Sequence, residues 1–358
     1  MSGMADPGVA MRGGLRRRFV ERIVEPAVVL AEERSGRVVR CYALAGSIVR
    51  VTFAGAPLAE RLGRAFAHAL LPDHQGSVDL DVHVWDSASN GLPPPAHMLP
   101  ETEADGLVAA DEPGLLAGFV SKEDTLNLID FERAQAYFWL SSLEAVPGWV
   151  TAAPLRRILQ WFFAPRDVHL LHGAAIGRRE RALLITARGG SGKSTTALAA
   201  AAAGLGYLAD DYVAVRNGAP PEAHCLFNSA KLTDASLAML PNYGRFIRER
   251  DVGERLKSVI FMAEAMPERL LSSAPLVGIA VPVINRSERT FLEPADAKAA
   301  FLALAPSSLL HVSLSGGSEL MRALRTLVAS LPCYRLMLGR DPAEIADALA
   351  AFIDRGSD

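Results

Sequence analysis

The spacing of hydrophobic and polar positions predicts mainly strands in the first half of the chain. Residues 47–53 have strand character, and residues 78–84 alternate strictly between apolar and polar side chains. Residues 116–140 predict several strands joined by short polar turns. We therefore expect an α+β domain over residues 20–150, preceded by a disordered start over residues 1–19.

The second half of the chain has a different pattern. A helix predicted over residues 153–163 ends near Pro165, and short apolar runs then alternate with an alanine-rich helix predicted over residues 194–203. Strands that alternate with helices are typical of an α/β domain whose sheet lies between helices. We therefore expect a second domain at residues 151–358, with a central mixed sheet flanked by helices.

Composition and charge exclude several classes of protein. The chain has 358 residues, 50% of them hydrophobic and 22% charged, and its formal net charge is -3, which argues against disorder and against a basic nucleic-acid-binding surface. No run reaches the roughly 18 uncharged apolar residues of a membrane span. The three cysteines, Cys41, Cys225 and Cys333, are far apart and form no CxxC pair. We expect a cytoplasmic protein that binds neither nucleic acid nor membrane, with a homo-oligomer among the open options.

A glycine-rich loop lies between a predicted strand and the alanine-rich helix. After the apolar run 182–186, the candidate nucleotide-binding residues are Arg188, Gly189, Gly190, Ser191, Gly192, Lys193, Ser194 and Thr195. This order is typical of a phosphate-binding loop (P-loop), in which backbone N–H groups and a helix N-terminus surround the phosphates of ATP. Lys193 would reach the β- and γ-phosphates, and the Ser194 hydroxyl would ligate Mg²⁺. Ala187 replaces the first glycine of the pattern, and a flexible turn before a helix is the alternative explanation.

Two adjacent carboxylates, Asp210 and Asp211, follow the helix after one return strand. We interpret residues 210–215 as a strand with both carboxylates near its middle. Adjacent side chains of a regular strand point to opposite faces, so both serve one site only at a strand end or a bend. Phosphate transfer calls for one carboxylate that holds Mg²⁺ and another that takes the proton of an acceptor hydroxyl. A surface turn is the structural alternative for this pair.

Three short segments together resemble the catalytic domain of HPr kinase/phosphorylase. They are His172-Gly173, Gly189-Gly190-Ser191-Gly192-Lys193-Ser194 and Leu208-Ala209-Asp210-Asp211. The resemblance implies the P-loop kinase fold that this domain shares with ATP-dependent phosphoenolpyruvate carboxykinase, and it implies the use of ATP and Mg²⁺. It also implies roles in the site: Ser194 and Asp210 would serve Mg²⁺, Asp211 would be the general base, and His172 would lie near the transferred group. Taken alone, His172 would be interpreted as a core histidine.

The chain departs from that family after the aspartate pair. The Glu-Ile/Val-Arg-Gly signature of the family is absent, and residues 227–232 stand in its place. A domain of this type behind an unrelated N-terminal half resembles the kinases of lasso-peptide and similar ribosomal-peptide gene clusters. This resemblance implies transfer to a hydroxyl, as of a peptide serine, with a protein or small-molecule hydroxyl as alternatives. The candidate phosphate or substrate contacts are Lys231, Arg245, Arg248 and Arg286.

Two other functions compete with a kinase. Residues 314–318 imitate the signature of ABC transporter ATPases, but no Asp-Glu pair follows the strand predicted over residues 334–338. We therefore predict that residues 315–318 form a turn that caps a helix over residues 319–331. The remaining alternative is a protein that binds nucleotide as a regulator or an ATPase switch without an acceptor.

Overall fold

The computed structural model describes most of the chain. The described residues are 15–95, 107–108, 114–187, 190–250, 257–284, 289–312 and 317–355. The chain divides into two compact units. The first comprises Met1–Tyr42, Ser47–Gly63 and Leu71–Val146, and the second comprises Ala43–Gly46, Arg64–Leu70 and Pro147–Asp358. No helix in these described ranges is long and apolar enough to cross a membrane.

The first unit is built on an eight-stranded sheet. Its helices are α1 (Leu15–Phe19), α2 (Glu25–Ser35), α3 (Ala56–Gly63) and α4 (Ser87–Asn90), with a π-helical turn (Val20–Val24) between α1 and α2. The strands of the sheet are β1 (Arg37–Leu44), β2 (Ser47–Ala54), β3 (Leu70–Leu71), β4 (Leu80–Asp86), β5 (Leu107–Val108), β6 (Leu115–Val120), β7 (Thr125–Asp130) and β8 (Gln135–Leu140). The strand order is β3-β1-β2-β4-β8-β7-β6-β5. The strands predicted over residues 47–53 and 78–84 are present as β2 and β4.

The start of the chain differs from the expected disorder where it is described. Residues 1–14 lie outside the described residues, but residues 15–19 form α1. Arg17 forms ion pairs with Asp130 at 3.2 Å and with Glu132 at 2.9 Å, and Phe19 is buried. These contacts depend on residues far along the chain, so local composition did not reveal them.

The second unit contains a nine-stranded mixed sheet and a three-stranded sheet. Its helices are α5 (Gly148–Ala152), α6 (Arg156–Phe163), α7 (Lys193–Ala202), α8 (Asp234–Met239), α9 (Met262–Ala265), α10 (Ala297–Val312), α11 (Gly317–Ser330) and α12 (Pro342–Arg355). Its strands are β9 (Val168–Leu171), β10 (Ala174–Arg178), β11 (Arg181–Ile185), β12 (Gly206–Ala209), β13 (Val213–Arg216), β14 (Glu222–His224), β15 (Ser229–Thr233), β16 (Glu249–Arg250), β17 (Lys257–Phe261), β18 (Ser273–Ile284), β19 (Phe291–Ala295) and β20 (Cys333–Leu338). The large sheet has the order β12-β10-β11-β18-β14-β13-β9, with β20 between β18 and β19, and the small sheet has the order β15-β17-β16.

Helices cover both faces of the large sheet. Successive side chains of a strand point to opposite faces. Ile185 therefore packs with residues of α7 and α12, whereas Leu184 packs with residues of α10 and α11. Strand β18 is parallel to β11 and to β20 and antiparallel to β14, so the sheet is mixed. The predicted mixed sheet between helices is confirmed.

The helix predicted over residues 153–163 is present as α6, which begins three residues later than predicted, at Arg156, and a separate short helix, α5, precedes it. Ala153 leaves helical geometry with a φ of -141°, and Leu155 has a φ of 58°. The cause is Pro154, because a proline ring disfavours helical geometry in the residue before it and has no N–H to donate.

Candidate functional site

Helix α7 begins directly after the glycine-rich loop. Gly192, the residue before the helix, has a φ of 93°, which a side chain disfavours. Lys193 Nζ donates to the Ala187 carbonyl at 2.7 Å, so the lysine side chain folds back across the loop. Arg188 and Gly189 lie outside the described residues. The described part of the loop thus closes at a helix N-terminus, where backbone N–H groups and the helix dipole favour an anion.

Two connections between strands meet beside this helix. Strand β9 pairs with β13, and β10 pairs with β12, both in antiparallel fashion. The connection between β9 and β10 (residues 172–173) therefore lies against the connection between β12 and β13 (residues 210–212). Strand pairing thereby brings His172 to the aspartate pair.

Asp210 and Asp211 lie in the bend between β12 and β13, so the strand predicted over residues 210–215 is wrong in its first part. The Tyr212 N–H donates to the Asp210 carbonyl at 2.9 Å, and Asp211, in the centre of this three-residue turn, has a φ of 71°. A γ-turn of this hand is rare and strained. The Gly173 N–H supports it by donating to the Asp211 carbonyl at 3.2 Å. The bend allows both carboxylates to enter one site, which a regular strand would prevent.

Both side-chain oxygens of Asp210 accept hydrogen bonds. Ser194 Oγ donates to Oδ1 at 2.9 Å, and the Lys231 N–H donates to Oδ2 at 3.1 Å. Asp210 is 2% exposed. Burial and the charge of Asp211 raise the pKa of Asp210, and the two hydrogen bonds oppose that rise. The carboxylate therefore joins the first turn of α7 to strand β15 of the small sheet.

Asp211 is held between two other side chains. Its Oδ1 lies 3.1 Å from His172 Nε2, and its Oδ2 accepts from Lys231 Nζ at 2.6 Å. Burial raises the pKa of Asp211, but the charge of Lys231 and the hydrogen bond with His172 outweigh it and hold the pKa well below its usual range. Burial also lowers the pKa of Lys231, and the charge of Asp211 more than offsets this, so the pKa is raised. The result is a carboxylate paired with an ammonium ion.

Lys193 lies close to the same carboxylates. Burial lowers the pKa of Lys193, and the charges of Asp210 and Asp211 oppose this effect. The positive charge of Lys257 lowers the pKa further. An additional negative charge, such as that of a phosphate, would favour the charged form of Lys193 at this position.

The donor atoms at the start of α7 fit a magnesium ion that is shared with a phosphate. Mg²⁺ prefers oxygen ligands and is commonly held by one or two carboxylates together with substrate phosphates. The Ser194 hydroxyl and the Asp210 carboxylate supply such oxygens side by side. In the ranges that the structure describes, no group of three or more His, Cys, Asp and Glu side chains could hold a metal ion. The donor set is therefore unlike a metal centre built entirely from protein ligands.

Comparisons with known proteins find similarity to solved structures but no match in sequence. No family model matches the chain, and no curated protein matches it in sequence. The chain is similar to the structure of the HPr(Ser) kinase/phosphatase from Coxiella burnetii, with a TM-score of 0.30, 9% sequence identity, and coverage of 53% of this chain and 99% of that chain. The roles proposed for this chain rest on its own side chains.

Sequence reasoning missed Arg156 and Tyr212. The Arg156 guanidinium donates to the Tyr212 hydroxyl and lies 4.7 Å from the centre of the Tyr212 ring. Lys231 Nζ lies 5.8 Å from the same ring centre. Tyr212 directly follows the aspartate pair and could have been found from that position. Arg156 has no such local signal, since it lies on α6, far from the pair along the chain.

The four basic residues named as candidate contacts lie in different places. Lys231 contacts both aspartates of the site. Arg248 forms an ion pair with Glu264 at 2.5 Å, and Arg245 lies 4.7 Å from the ring centre of the phenylalanine that follows it. Arg286 lies outside the described residues.

Two further expectations concern Thr195 and the ABC-like segment. Thr195 Oγ1 lies 2.8 Å from Ser236 Oγ on α8, so the Thr195 hydroxyl forms a hydrogen bond with another side chain of the protein.

Residues 313–316 of the ABC-like segment lie outside the described residues, and α11 already begins at Gly317, two residues before the predicted helix. After β20, Asp341 accepts from an N–H of α12 at 2.9 Å, which is a capping role.

Proposed function

We propose that this chain is a kinase of the P-loop type found in HPr kinase and phosphoenolpyruvate carboxykinase, which transfers the γ-phosphate of ATP to a hydroxyl with the help of Mg²⁺. One observation carries the proposal: the hydrogen bond from Ser194 to Asp210 at 2.9 Å. It places a hydroxyl and a carboxylate together at the N-terminus of a helix that follows a glycine loop. Phosphoryl transfer uses this combination to hold Mg²⁺ next to the phosphates.

Each side chain of the site has a role in the proposed reaction. The loop amides and Lys193 bind the phosphates, and Ser194 with Asp210 would hold Mg²⁺, which neutralises phosphate charge when bound. Asp211, oriented by His172, takes the proton of the acceptor hydroxyl. The acceptor oxygen forms a bond to the γ-phosphorus while the bond from that phosphorus to the β–γ bridging oxygen breaks, and ADP leaves.

A hydroxyl of a peptide, as in serine, is the acceptor that we favour. The reason is that an HPr-kinase-like domain behind an unrelated N-terminal half resembles the kinases of lasso-peptide and similar ribosomal-peptide gene clusters. A protein or a small molecule with a free hydroxyl fits the same chemistry, because the base needs only a proton within hydrogen-bond reach.

Labelled phosphate distinguishes the candidate functions. Purified protein is incubated with γ-labelled ATP, Mg²⁺ and a panel of serine peptides and small hydroxyl compounds. Label on an acceptor supports the kinase, label released to water supports an ATPase switch, and bound but intact ATP supports a regulatory protein.

Lys193→Ala should weaken ATP binding and abolish turnover, because the lost charge stabilises both bound ATP and the transition state. An unchanged ATP affinity of Lys193→Ala in calorimetry would contradict the assignment of Lys193 to the phosphates of ATP.

A further inference from the structure

Lys231 is fixed beside the loop by its main chain. Its N–H donates to Asp210 Oδ2 at 3.1 Å, and the other oxygen of this carboxylate accepts from Ser194 Oγ at 2.9 Å. A single carboxylate therefore spans the gap between Lys231 and the first turn of α7. Because a buried hydrogen bond is costly to leave unmade, the backbone of Lys231 is held in place.

The side chain of Lys231 is long enough for its ammonium group to reach another nearby anion while its backbone stays in place. Lysine carries a compact charge on a flexible four-carbon stem, so its ammonium group can reach more than one anion. Here Nζ is 2.6 Å from Asp211 Oδ2, and the residue is 7% exposed. Its ammonium group thus lies next to Asp211, the proposed base, and its backbone N–H bonds to Asp210, which is assigned to Mg²⁺.

Stability alone does not account for a lysine at this position. Burying an ammonium and a carboxylate has a large desolvation cost, and a well-packed apolar pair of similar volume is often as stable or more stable. Binding offers a physical reason for the charge. Phosphoryl transfer spreads negative charge over the oxygens of the moving group, and cations held around that group stabilise it.

We propose that Lys231 recognises the γ-phosphate of ATP, exchanging Asp211 for that phosphate when the nucleotide binds. The inference rests on the proposed function of the loop. Lys193 then binds nucleotides in general, whereas Lys231 distinguishes a triphosphate from a diphosphate. The exchange also frees Asp211 Oδ2 to face the acceptor hydroxyl, so ATP binding prepares the base.

Calorimetric titration with ATP and with ADP, each with Mg²⁺, tests the inference. Lys231→Met keeps a side chain of similar length without the charge. We expect its Kd for ATP to rise about 10- to 100-fold, the range for losing a hydrogen bond to a charged group, while its Kd for ADP stays close to that of the unsubstituted protein. Lys298→Met is the control, because Lys298 carries the same charge and is exposed on α10. It should leave the ratio of the two constants unchanged.

A second variant separates binding from folding. Lys231→Met leaves the buried Asp211 carboxylate without its ammonium partner, so it can lose stability. The double variant Lys231→Met/Asp211→Asn removes both charges, and we expect it to show the same selective loss of ATP affinity.

Equal weakening for ATP and ADP, or an unchanged ATP affinity in either variant, overturns the inference. If Lys193→Ala still loses both nucleotides in that case, the proposed function stands without it. If the unsubstituted protein binds neither nucleotide, the proposed function fails and the inference falls with it.

Discussion

Asp211 combines a strained backbone with two charged or polar partners. Its φ of 71° lies in the left-handed region, at the centre of a three-residue turn. Such strain costs about 1–3 kcal/mol and concentrates at functional sites, where the surrounding structure holds it. Glycine would form the same turn with less strain. The contacts with Lys231 and His172 therefore give a better reason for an aspartate here than the turn itself.

The two aspartates should differ in what they support. Asp211→Asn should lower phosphate transfer about 10²- to 10⁴-fold, the usual contribution of a positioned base, and should retain ATP and Mg²⁺ affinity. Asp210→Asn should instead weaken Mg²⁺-dependent nucleotide binding, because an amide nitrogen replaces an oxygen that accepts from Ser194 or Lys231. Transfer assays and calorimetry measure the two effects. Identical behaviour of both variants in both assays would show that the pair acts as one unit.

His68 should make the stability of the second unit depend on pH. Its Nε2 lies 3.1 Å from the Cys225 carbonyl and its Nδ1 lies 3.4 Å from Asn228 Nδ2, so a neutral ring both donates and accepts. Burial lowers the pKa of His68, although the bond to Cys225 opposes this. The unfolded chain, with a pKa of about 6.5, therefore binds the proton more readily. Neutral His68 therefore makes its full contribution to the free energy of unfolding above about pH 6.5. That contribution is lost as the pH falls toward the pKa of His68 in the folded protein.

Urea denaturation at a series of pH values measures this dependence. His68→Gln should flatten the fall in unfolding free energy below about pH 6.5. His74→Gln is the control, because His74 lies in an exposed turn where its Nε2 is 3.2 Å from the Ser77 carbonyl. The prediction is wrong if His68→Gln and the unsubstituted protein lose stability in parallel.

At the scale of elements, the start of α7 depends on two glycines with positive φ, Gly190 at 82° and Gly192 at 93°. A Cβ added at Gly192 would lie 3.0 Å from Leu338 Cδ1, whereas one added at Gly190 would meet no described atom within 4 Å. Each alanine should cost about 1–2 kcal/mol of unfolding free energy because of its left-handed backbone. Gly192→Ala should cost more, since Leu338 must also shift. Equal losses for the two variants in thermal unfolding would contradict the steric part of this argument.

At the scale of the whole molecule, the second unit is discontinuous along the chain. It includes residues 43–46 and 64–70 in addition to residues 147–358. The buried Asn228 holds the second of these segments, because its Nδ2 donates to the carbonyls of Arg64 at 2.9 Å and Ala65 at 2.8 Å. The sequence-based division near residue 150 assigned this segment to the other domain.

A fragment of residues 147–358 should therefore be less stable than the second unit of the complete chain. Asn228 would lose acceptors whose absence costs about 1–3 kcal/mol for each buried group left unsatisfied. Denaturant unfolding of the fragment and of the complete chain measures the difference, and Asn228→Ala in the complete chain should reproduce part of it. An unfolding midpoint of the fragment equal to that of the complete chain would exclude this role for residues 64–70.

The order of strand, glycine loop and helix at the site could be predicted from the sequence alone. The apolar run 182–186 and the alanine-rich run 194–203 are present as β11 and α7, with ends shifted by one residue. Periodicity and glycine spacing are properties of neighbouring residues, so they can be read before the chain folds. The helix predicted over residues 153–163 begins later than expected, at Arg156, for an equally local reason, the proline at position 154.

Which side chains meet in the site depends on the packing of distant segments and could not be predicted from the sequence. The bend at Asp210 and Asp211, which the strand prediction missed, connects β12, which pairs with β10, to β13, which pairs with β9. Lys231 was one of four basic candidates with no feature to set it apart, and its position against Asp211 follows from the docking of β15 on Asp210. Strand register and burial depend on contacts between residues far apart in the chain, and the free energy of such contacts leaves no pattern in any short stretch of sequence.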